Sequence, residues 1–324
     1  MQTSWPAQSL LNALLRASAS DLIGRGWFRL LLKCRAGLVR LLRDPLVRYQ
    51  LRGSELLLPL SHDLPVILKF QLHYSSNVAR IARHVKSKYP DLTLIDVGAN
   101  VGDTLALIRN VTEIPVLCIE GDDRFFEILR LNASQYGPGV DLAHVFVDSE
   151  TGSLKGNVIS ERGTAYLVED ATSSRIIQTV ALRDVLEAHP SFSRTKMIKV
   201  DTDGLDCRII RSDLDLIARL KAVLFFEYDP YLFGKFKDDG FQVFQALCSI
   251  GYDGLIVYEN NGEYLLTTRL TDVQTLEDLH NFYSGRAGMR YMDVCAFHEE
   301  DSDVCQAVRR AEIEFFQRAR CGSN

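Results

Sequence analysis

The sequence lacks several features that would point to common protein classes. It has no run of about 18 apolar residues, so we expect no membrane-spanning helix. Its seven cysteines are scattered, odd in number and without a CxxC pair, which favours reduced, buried thiols over disulfides. The net charge of −5 argues against a general nucleic-acid binder. No secretory pattern precedes the first apolar segment, so the protein is predicted to be cytoplasmic.

The composition is that of a globular protein with a full hydrophobic core. Of 324 residues, 47% are hydrophobic and 24% are charged. The length fits either two domains of about 150 residues or one large α/β domain with an extension. The charge is unevenly distributed: residues 1–50 carry eight Lys/Arg against two Asp, a net +6, and the other residues carry −11. We therefore treat residues 1–50 as a separate basic extension.

The basic extension is predicted to be helical and amphipathic. Between residues 27 and 42, apolar residues recur at helical spacing with basic side chains opposite them. The apolar positions are Trp27, Leu30, Leu31, Cys34, Leu38, Leu41 and Leu42, and the basic ones are Arg29, Lys33, Arg40 and Arg43. Two interpretations stay open. Either the apolar face docks on the body of the protein or on a second copy, or residues 27–43 lie peripherally on an anionic membrane surface.

The rest of the chain alternates short apolar runs with helical patterns, which predicts a mostly parallel sheet with helices on both faces. The predicted strands are Leu92–Val97, Val116–Glu120, Leu142–Val147, Met197–Asp201, Ala222–Glu227, Asp253–Tyr258, Glu263–Thr268 and Asp293–His298. The predicted helices are 75–88, Thr104–Asn110, Asp123–Ser134, 205–220, 239–250 and Val304–Arg320. Asn261-Gly262 predicts an antiparallel edge hairpin. Residues 151–190 predict a flap over the carboxyl edge of the sheet.

These patterns divide the chain into four parts. After the basic extension, residues 51–90 form a cap on the substrate side, beginning with a strand pair over 48–60. Residues 91–300 form the α/β domain, and residues 301–324 a C-terminal helix.

The sharpest motif is Leu94-Ile-Asp-Val-Gly-Ala-Asn-Val-Gly-Asp103, a strand that enters a glycine-containing turn and then a helix. Glycines allow positive φ and close approach of a ligand, and the helix N-terminus offers free N–H groups. Glu120 ends the next strand, 22 residues after Gly98, where a carboxylate can accept hydrogen bonds from ribose hydroxyls. Together these features predict a cofactor that contains adenosine.

The flanking charges favour S-adenosylmethionine (SAM) as that cofactor. A dinucleotide site has G-x-G-x-x-G, whereas this turn reads G-x-N-x-G. Asp96 and Asp103 on either side would repel a pyrophosphate and attract an ammonium and a sulfonium. NAD or FAD, and a purely structural turn, stay open as alternatives.

A second motif, Met197-Ile-Lys-Val-Asp-Thr-Asp-Gly-Leu-Asp206, also ends a strand in carboxylates before a helix. In an open α/β sheet this edge is where substrates bind. Asp203 alone would also be explained as a helix N-cap. Glu227 and Asp229, after the next strand, add two carboxylates at the same edge.

The two motifs together resemble the FkbM family of class I SAM-dependent methyltransferases, over residues 55–300. Leu58-Pro-Leu-Ser-His-Asp-Leu-Pro65 is similar to an upstream element of some members, and this segment makes His62 and His73 candidates for the acceptor side. The family commonly has glutamates where this chain has Asp203 and Asp206, so the carboxylates here reach less far. The resemblance implies a seven-stranded Rossmann-like sheet and O-methylation, often of sugar hydroxyls in bacterial glycans.

The resemblance also implies roles for single residues. Asp96, Gly98, Asn100 and Gly102 would line the methionine part of SAM, and Glu120 would hold the ribose, with Asp122 a weaker candidate. Asp148 would contact the adenine amino group, and Lys199, Asp201 and Asp203 would face the acceptor. Asp201 is our first candidate for the base that takes the hydroxyl proton, and Asp203 the second.

The expected function is therefore O-methylation of a sugar hydroxyl in polysaccharide biosynthesis. A non-sugar metabolite as acceptor, a non-catalytic SAM-binding scaffold in a glycan-assembly complex and a nicotinamide oxidoreductase stay open. We expect a carbohydrate or small-molecule acceptor, no nucleic acid and no metal, although Asp201, Asp203 and Glu227 offer oxygen ligands suited to Mg²⁺.

Overall fold

A computed structural model of the protein describes residues 3–19, 22–161, 163–170, 172–236 and 238–321, so the last predicted helical residues, 322–324, lie outside the description. The helices are α1 (Trp5–Arg16), α2 (Leu22–Leu41), α3 (Leu64–Phe70), α4 (Ser76–Lys88), α5 (Asp103–Arg109), α6 (Asp123–Ala133), α7 (Leu182–Ala188), α8 (Asp206–Ser212), α9 (Leu214–Leu220), α10 (Pro230–Phe236), α11 (Gln242–Ser249), α12 (Val273–Ser284) and α13 (Ser302–Cys321). The strands are β1 (Leu46–Leu51), β2 (Ser54–Pro59), β3 (Leu94–Val97), β4 (Val116–Glu120), β5 (Val140–His144), β6 (Phe146–Val147), β7 (Gly152–Glu161), β8 (Thr164–Glu169), β9 (Ile176–Val180), β10 (Met197–Val200), β11 (Val223–Tyr228), β12 (Tyr252–Glu259), β13 (Tyr264–Arg269) and β14 (Met292–His298). Across these ranges, none of the helices has the length and apolar character needed to span a membrane.

Within the described residues, an eight-stranded sheet has the order β13-β12-β14-β11-β10-β3-β4-β5. Six strands point in one direction, and β13 and β14 run the other way. The predicted count of seven strands is wrong by one, because β13 pairs with the outer side of β12 and adds an edge strand. The predicted antiparallel edge hairpin is confirmed, since β12 and β13 are its two strands.

Alternate side chains of the central strands pack into two separate cores, one on each face of the sheet. In β3, Leu94 belongs to one core, and Ile95 and Val97 to the other. In β4, Cys118 belongs to the same core as Leu94, and Leu117 belongs to the other core. Because helices cover both faces, the middle of these strands is apolar and polar side chains are found towards their carboxyl ends.

Two predicted elements are each divided in the structure. The predicted strand 142–147 ends at His144, and the next residues leave the main sheet as β6, which pairs with β9 of the flap. The predicted helix 205–220 is broken at Asp213, whose buried carboxylate accepts hydrogen bonds from the amide of Leu182 and the guanidinium of Arg183, each at 2.9 Å. Both breaks coincide with contacts to the flap region. After the first break β6 pairs with β9, and at the second Asp213 binds Leu182 and Arg183.

The predicted flap over 151–190 forms a second sheet, with strand order β6-β9-β7-β8. The β7–β8 hairpin extends from it to the carboxyl edge of the main sheet, where its tip at Gly163 contacts the β3 loop.

The basic extension folds as a pair of packed helices, α1 and α2, followed by the β1–β2 hairpin. Leu31 of α2 is buried with Leu14 of α1. The buried Arg35 donates to the backbone oxygen of Leu60 at 2.7 Å and to Asp63 at 2.8 Å, which attaches α2 to the cap. Most of the predicted apolar face of this helix is nevertheless exposed, because the packed face is the neighbouring one that carries Arg35.

Candidate active site

The loops after β3, β4 and β10 and the last residues of β11 meet at the carboxyl edge of the sheet and line two pockets that share residues. The Glu120 pocket has an empty volume of about 500 Å³, and the Lys199 pocket about 670 Å³. The residues that line both are Gly98, Asn100, Asp201 and Asp203. A ligand that occupies both pockets must therefore pass these four residues.

The β3 loop adopts a backbone conformation that its glycines allow. Gly98 and Gly102 have φ values of 79° and 86°, and Asn100 between them has φ of 50°. A Cβ atom on Gly98 would stand 1.8 Å from the carbonyl oxygen of Asp201, and one on Gly102 would stand 2.9 Å from Leu129. The glycines are therefore required by the packing of this loop on the β10 loop and of α5 on α6, in addition to any approach of a ligand.

Glu120 lies in the wall of its pocket, as its place at the end of β4 predicted. One carboxylate oxygen accepts from the amide of Asn100 at 2.8 Å, and the other from the amide of Asp122 at 2.7 Å. Burial raises the pKa of Glu120 to about 7. The Asp122 carboxylate has a different task, because it caps α6 by accepting from the amides of Arg124 and Phe125.

The remaining wall of the Glu120 pocket is a slot between apolar side chains. Its sides are formed by strand ends and by the flap, with Ile119, Phe146, Val147, Tyr166 and Leu167 among the lining residues. Gly121 makes room for the slot, since a Cβ atom there would stand 2.2 Å from the ring of Phe146. Such a slot suits a flat heterocycle.

Asp148, the predicted contact of the adenine amino group, lies directly after Val147. Its carboxylate accepts from Arg208 at 2.8 Å and is buried in that ion pair.

A buried lysine between two aspartates forms the floor of the Lys199 pocket. The register of β3 and β10 places Asp96 opposite Lys199, and the Lys199 Nζ lies 3.0 Å from Asp96 Oδ1 and 3.1 Å from Asp201 Oδ2. Burial by itself lowers the pKa of Lys199, but Asp201, Asp96 and Asp103 outweigh it and raise that pKa well above its usual value. Lys199 is therefore an ammonium that fixes both carboxylates.

Further carboxyl groups surround Asp201, and they repel one another. Burial, reinforced by Asp201, raises the pKa of Asp206 to about 7 and that of Asp293 to about 8. The same two causes raise the pKa values of Asp203 and Glu227 well above normal. Asp206 is held by the amides of the β10 loop, at 2.8 Å and 3.0 Å. Asp201 differs from these groups because 41% of its side chain is exposed.

A histidine chain connects the cap, the β3 loop and the flap. His62 Nδ1 accepts from the amide of Leu64 at 3.2 Å, which leaves its Nε2–H to donate to Asn100 Oδ1 at 3.3 Å. Asn100 Nδ2 in turn donates to the carbonyl oxygen of Gly163 at 2.7 Å. Burial lowers the pKa of His62 to about 4, so the ring is neutral. His73, the other histidine candidate, packs on Phe315 and Phe316 of α13.

The sequence analysis did not identify three further residues of the Lys199 region. Tyr74 and Tyr291 line the pocket, and Asp293 pairs in register with Glu227 on the neighbouring strand. The signal for Asp293 was a carboxylate next to an apolar strand. Nothing in the sequence pattern marks the two tyrosines. Within the described residues, no three histidine, cysteine or acidic side chains are arranged to hold a metal ion.

The donors and acceptors of the two pockets fit a cationic adenosine cofactor. The buried Asp96 Oδ2 has no hydrogen-bond partner, so an acceptor is left over beneath the β3 loop. Glu120 stands beside a slot for a base, and the shared residue Asp201, paired with Lys199, adds negative charge. This arrangement favours an ammonium and a sulfonium and disfavours a pyrophosphate.

The comparison with family models agrees with this chemistry. Residues 96–253 match the family model of the methyltransferase FkbM domain. No curated protein matches the chain. Among solved structures, the METTL16 methyltransferase domain is similar, with 13% identity and a TM-score of 0.45 over 90% of this chain and 92% of that one. The methyltransferase FkbM from Methylobacillus flagellatus KT has 11% identity and a TM-score of 0.35, over 89% of this chain and 58% of that one. M. jannaschii TYW2, in complex with AdoMet, has 10% identity and a TM-score of 0.37, over 78% and 86%.

The matched region begins at Asp96 and contains the β3 loop, Glu120, the Lys199 motif and Glu227. The sheet around it is a Rossmann-like α/β sheet, and the cofactor of the family is S-adenosylmethionine. Residues 96–253 are therefore a methyltransferase FkbM domain, and the protein is a SAM-dependent methyltransferase.

Proposed function

We propose that the protein transfers the methyl group of SAM to a hydroxyl oxygen of a neutral carbohydrate. The observation that carries this proposal is the position of Asp201, a partly exposed carboxylate that lines both pockets and is fixed by Lys199. One pocket then holds the cofactor, the other holds the acceptor, and the carboxylate lies where they meet.

The chemistry of the lining supports the Glu120 pocket as the cofactor side. Glu120 would accept hydrogen bonds from the ribose hydroxyls, and the slot at Phe146 and Tyr166 would take the adenine. The residues under the β3 loop, with the free Asp96 Oδ2, would face the methionine portion. When bound, SAM supplies an activated methyl group on a sulfonium.

Asp201 is better suited than Asp203 to accept the proton of the acceptor hydroxyl. Burial and the neighbouring Asp201 raise the pKa of Asp203 well above normal, so the charged form that a base needs is disfavoured there. Lys199 orients the Asp201 carboxylate from below. As the acceptor oxygen would form its bond to the methyl carbon, the bond from that carbon to the SAM sulfur would break and leave neutral S-adenosylhomocysteine, while the hydroxyl proton would pass to Asp201. Orientation of the reacting groups would supply most of the acceleration.

The electrostatics of the Lys199 pocket support a neutral acceptor. Asp103, Asp201, Asp203 and Glu227 line it against the single cation Lys199 among the described lining residues. Carboxyl and phenol groups accept and donate hydrogen bonds to vicinal hydroxyls, whereas a uronic acid or a sugar phosphate would add an anion to this cluster. A neutral polyol that is not a sugar satisfies the same chemistry and is the second candidate.

The test is a methylation assay with a panel of acceptors. The purified protein is incubated with SAM and with neutral glycosides, uronic acids, sugar phosphates and non-sugar polyols, and products are detected by mass spectrometry as the gain of one CH₂. We expect methylation of neutral glycosides and none of the anionic acceptors. Preference for an anionic acceptor would contradict the proposal, and so would SAM binding by calorimetry without turnover on any acceptor, which would favour a scaffold.

A further inference from the structure

Helix α2 has one packed face and one apolar face that remains in solvent. The packed face contains Leu31, which is buried, and Arg35, whose guanidinium donates to Leu60, Ser61 and Asp63 of the cap. These bonds fix the orientation of the helix on the body of the protein, so the other face is held towards solvent.

The second face is an apolar stripe along the length of the helix. Its members are Ile23, Trp27, Leu30, Cys34 and Leu41, which repeat at spacings that place them on one side of an α-helix. Ile23 is 87% exposed, Trp27 54%, Leu30 48% and Leu41 76%. No other described helix exposes so many large apolar side chains, and a contiguous exposed stripe of this kind marks an interaction surface.

A row of cations runs beside the apolar stripe. Arg29, Lys33 and Arg40 are exposed, recur at helical spacing, and make no ion pair with the residues that the structure describes. The row lies within the segment of the chain that carries a net +6, while the rest of the chain carries −11. The positive charge is thus concentrated where the apolar side chains are exposed.

We infer that the exposed stripe of α2 and its cationic row form a docking surface for an anionic membrane. Apolar side chains next to cations complement acyl chains beneath anionic headgroups, and the aromatic ring of Trp27 suits the boundary between the two. The helix lies in the plane of the surface. A second copy of the chain is the less favoured occupant, because pairing of two stripes brings two cationic rows together at one small interface.

The experiment measures binding of the full-length protein to vesicles. Sedimentation with vesicles of phosphatidylcholine alone, and of phosphatidylcholine with phosphatidylglycerol, is compared at low and high salt. We expect binding to the anionic vesicles that weakens as salt screens the charges. Arg29→Ala/Lys33→Ala/Arg40→Ala should bind roughly a hundredfold more weakly, since each basic residue contributes about fivefold. Trp27→Ser/Leu30→Ser should lose about tenfold or more.

Matched controls separate the surface from general effects of substitution. Arg83→Ala/Arg310→Ala/Arg318→Ala removes three cations from α4 and α13, and Val273→Ser/Met289→Ser removes two exposed apolar side chains elsewhere. Both should bind vesicles like the unaltered protein, and circular dichroism should show that every variant is folded. Absence of vesicle binding, or binding that is equal on neutral vesicles, would overturn the inference. So would a dimer in light scattering that Trp27→Ser/Leu30→Ser dissociates in a protein that binds no vesicle.

Discussion

The two pockets of the active site share four residues but differ in the chemistry of their walls. The Glu120 pocket has apolar walls and one buried carboxylate of its own, whereas the Lys199 pocket has a cluster of carboxyl groups around one ammonium. A flat, weakly polar group is favoured on one side and a hydroxyl-rich group on the other. The carboxyl edge of a single sheet therefore provides two sites, and the β3 and β10 loops form the boundary between them.

The most damaging change to this arrangement is at the boundary itself. Gly98→Ala places a Cβ atom 1.8 Å from the Asp201 carbonyl oxygen at a residue with φ of 79°. The backbone must move where the pockets join, so we expect loss of SAM binding and of turnover, with a loss of about 3 kcal/mol or more in unfolding free energy. Calorimetry and thermal melting measure this. Gly234→Ala, where a Cβ atom meets nothing within 4 Å, is the control. Normal SAM binding by Gly98→Ala would refute the packing role.

The next effect separates chemistry from binding. Asp201→Asn should lower kcat by about 10²–10⁴-fold, because the hydroxyl proton has no carboxylate to accept it. The Kd for SAM should rise far less than kcat falls, because asparagine keeps the shape of the side chain and removes only one of the carboxylates that attract the cationic cofactor. Asp203→Asn is the matched variant and should retain most of the turnover, because burial and Asp201 already disfavour the charged form of Asp203. The opposite result in this pair would assign the base to Asp203.

A change in the Glu120 pocket should affect the cofactor and leave the acceptor alone. Glu120→Gln should weaken SAM binding about tenfold, the value of a hydrogen bond to a charged group, with an unchanged KM for the acceptor. Because the pKa of Glu120 is about 7, SAM affinity should fall as the pH drops through 7, and the variant should lack this dependence. Titration calorimetry between about pH 5.5 and about pH 8.5 measures the SAM affinity and its dependence on pH. Asp122→Asn, at the α6 cap, should behave normally. If it weakens SAM as much as Glu120→Gln, the ribose assignment is wrong.

The smallest effect concerns stability. The pKa of Asp293 is raised to about 8 by burial and by Asp201, so the folded state binds a proton that the unfolded chain has released. The stability from this group is therefore complete below its unfolded pKa and is lost as the pH rises through about 8. In Asp293→Asn, the unfolding free energy should fall less steeply with rising pH, by up to about 1.4 kcal/mol per pH unit. Denaturant unfolding at several pH values measures the slope. The exposed Glu314→Gln should keep the original slope, and an unchanged slope in Asp293→Asn would contradict the prediction.

The fold was predictable where local sequence decides the outcome. Apolar runs such as Val116–Glu120 are buried on both faces, and the hairpin turn at Asn261-Gly262 depends on neighbours in sequence. The breaks at Val145 and Asp213 were not predictable, because the first depends on pairing with β9 and the second on the amide of Leu182. The apolar periodicity of α2 was visible, but the buried salt bridge of Arg35 decided which face packs.

The active site was predictable to a similar extent. The motifs gave the carboxylates that follow β3, β4 and β10, since the ends of parallel strands meet at one edge. They did not give Tyr74 and Tyr291, which come from distant segments and carry no distinguishing pattern. Asp148 was plausible from its place after a strand, and only the structure shows that Arg208 occupies its carboxylate.

The bond from Asn100 to the carbonyl oxygen of Gly163 has a consequence for the catalytic cycle. The hairpin tip is bound to Asn100, which lines both pockets, and Tyr166 of the same hairpin lines the slot that we propose for the adenine. A cofactor in this slot would lie against a hairpin that this bond holds in place, and movement of the hairpin would ease its release. We therefore expect the exit of S-adenosylhomocysteine, and not the transfer itself, to limit how many cycles the enzyme completes per second.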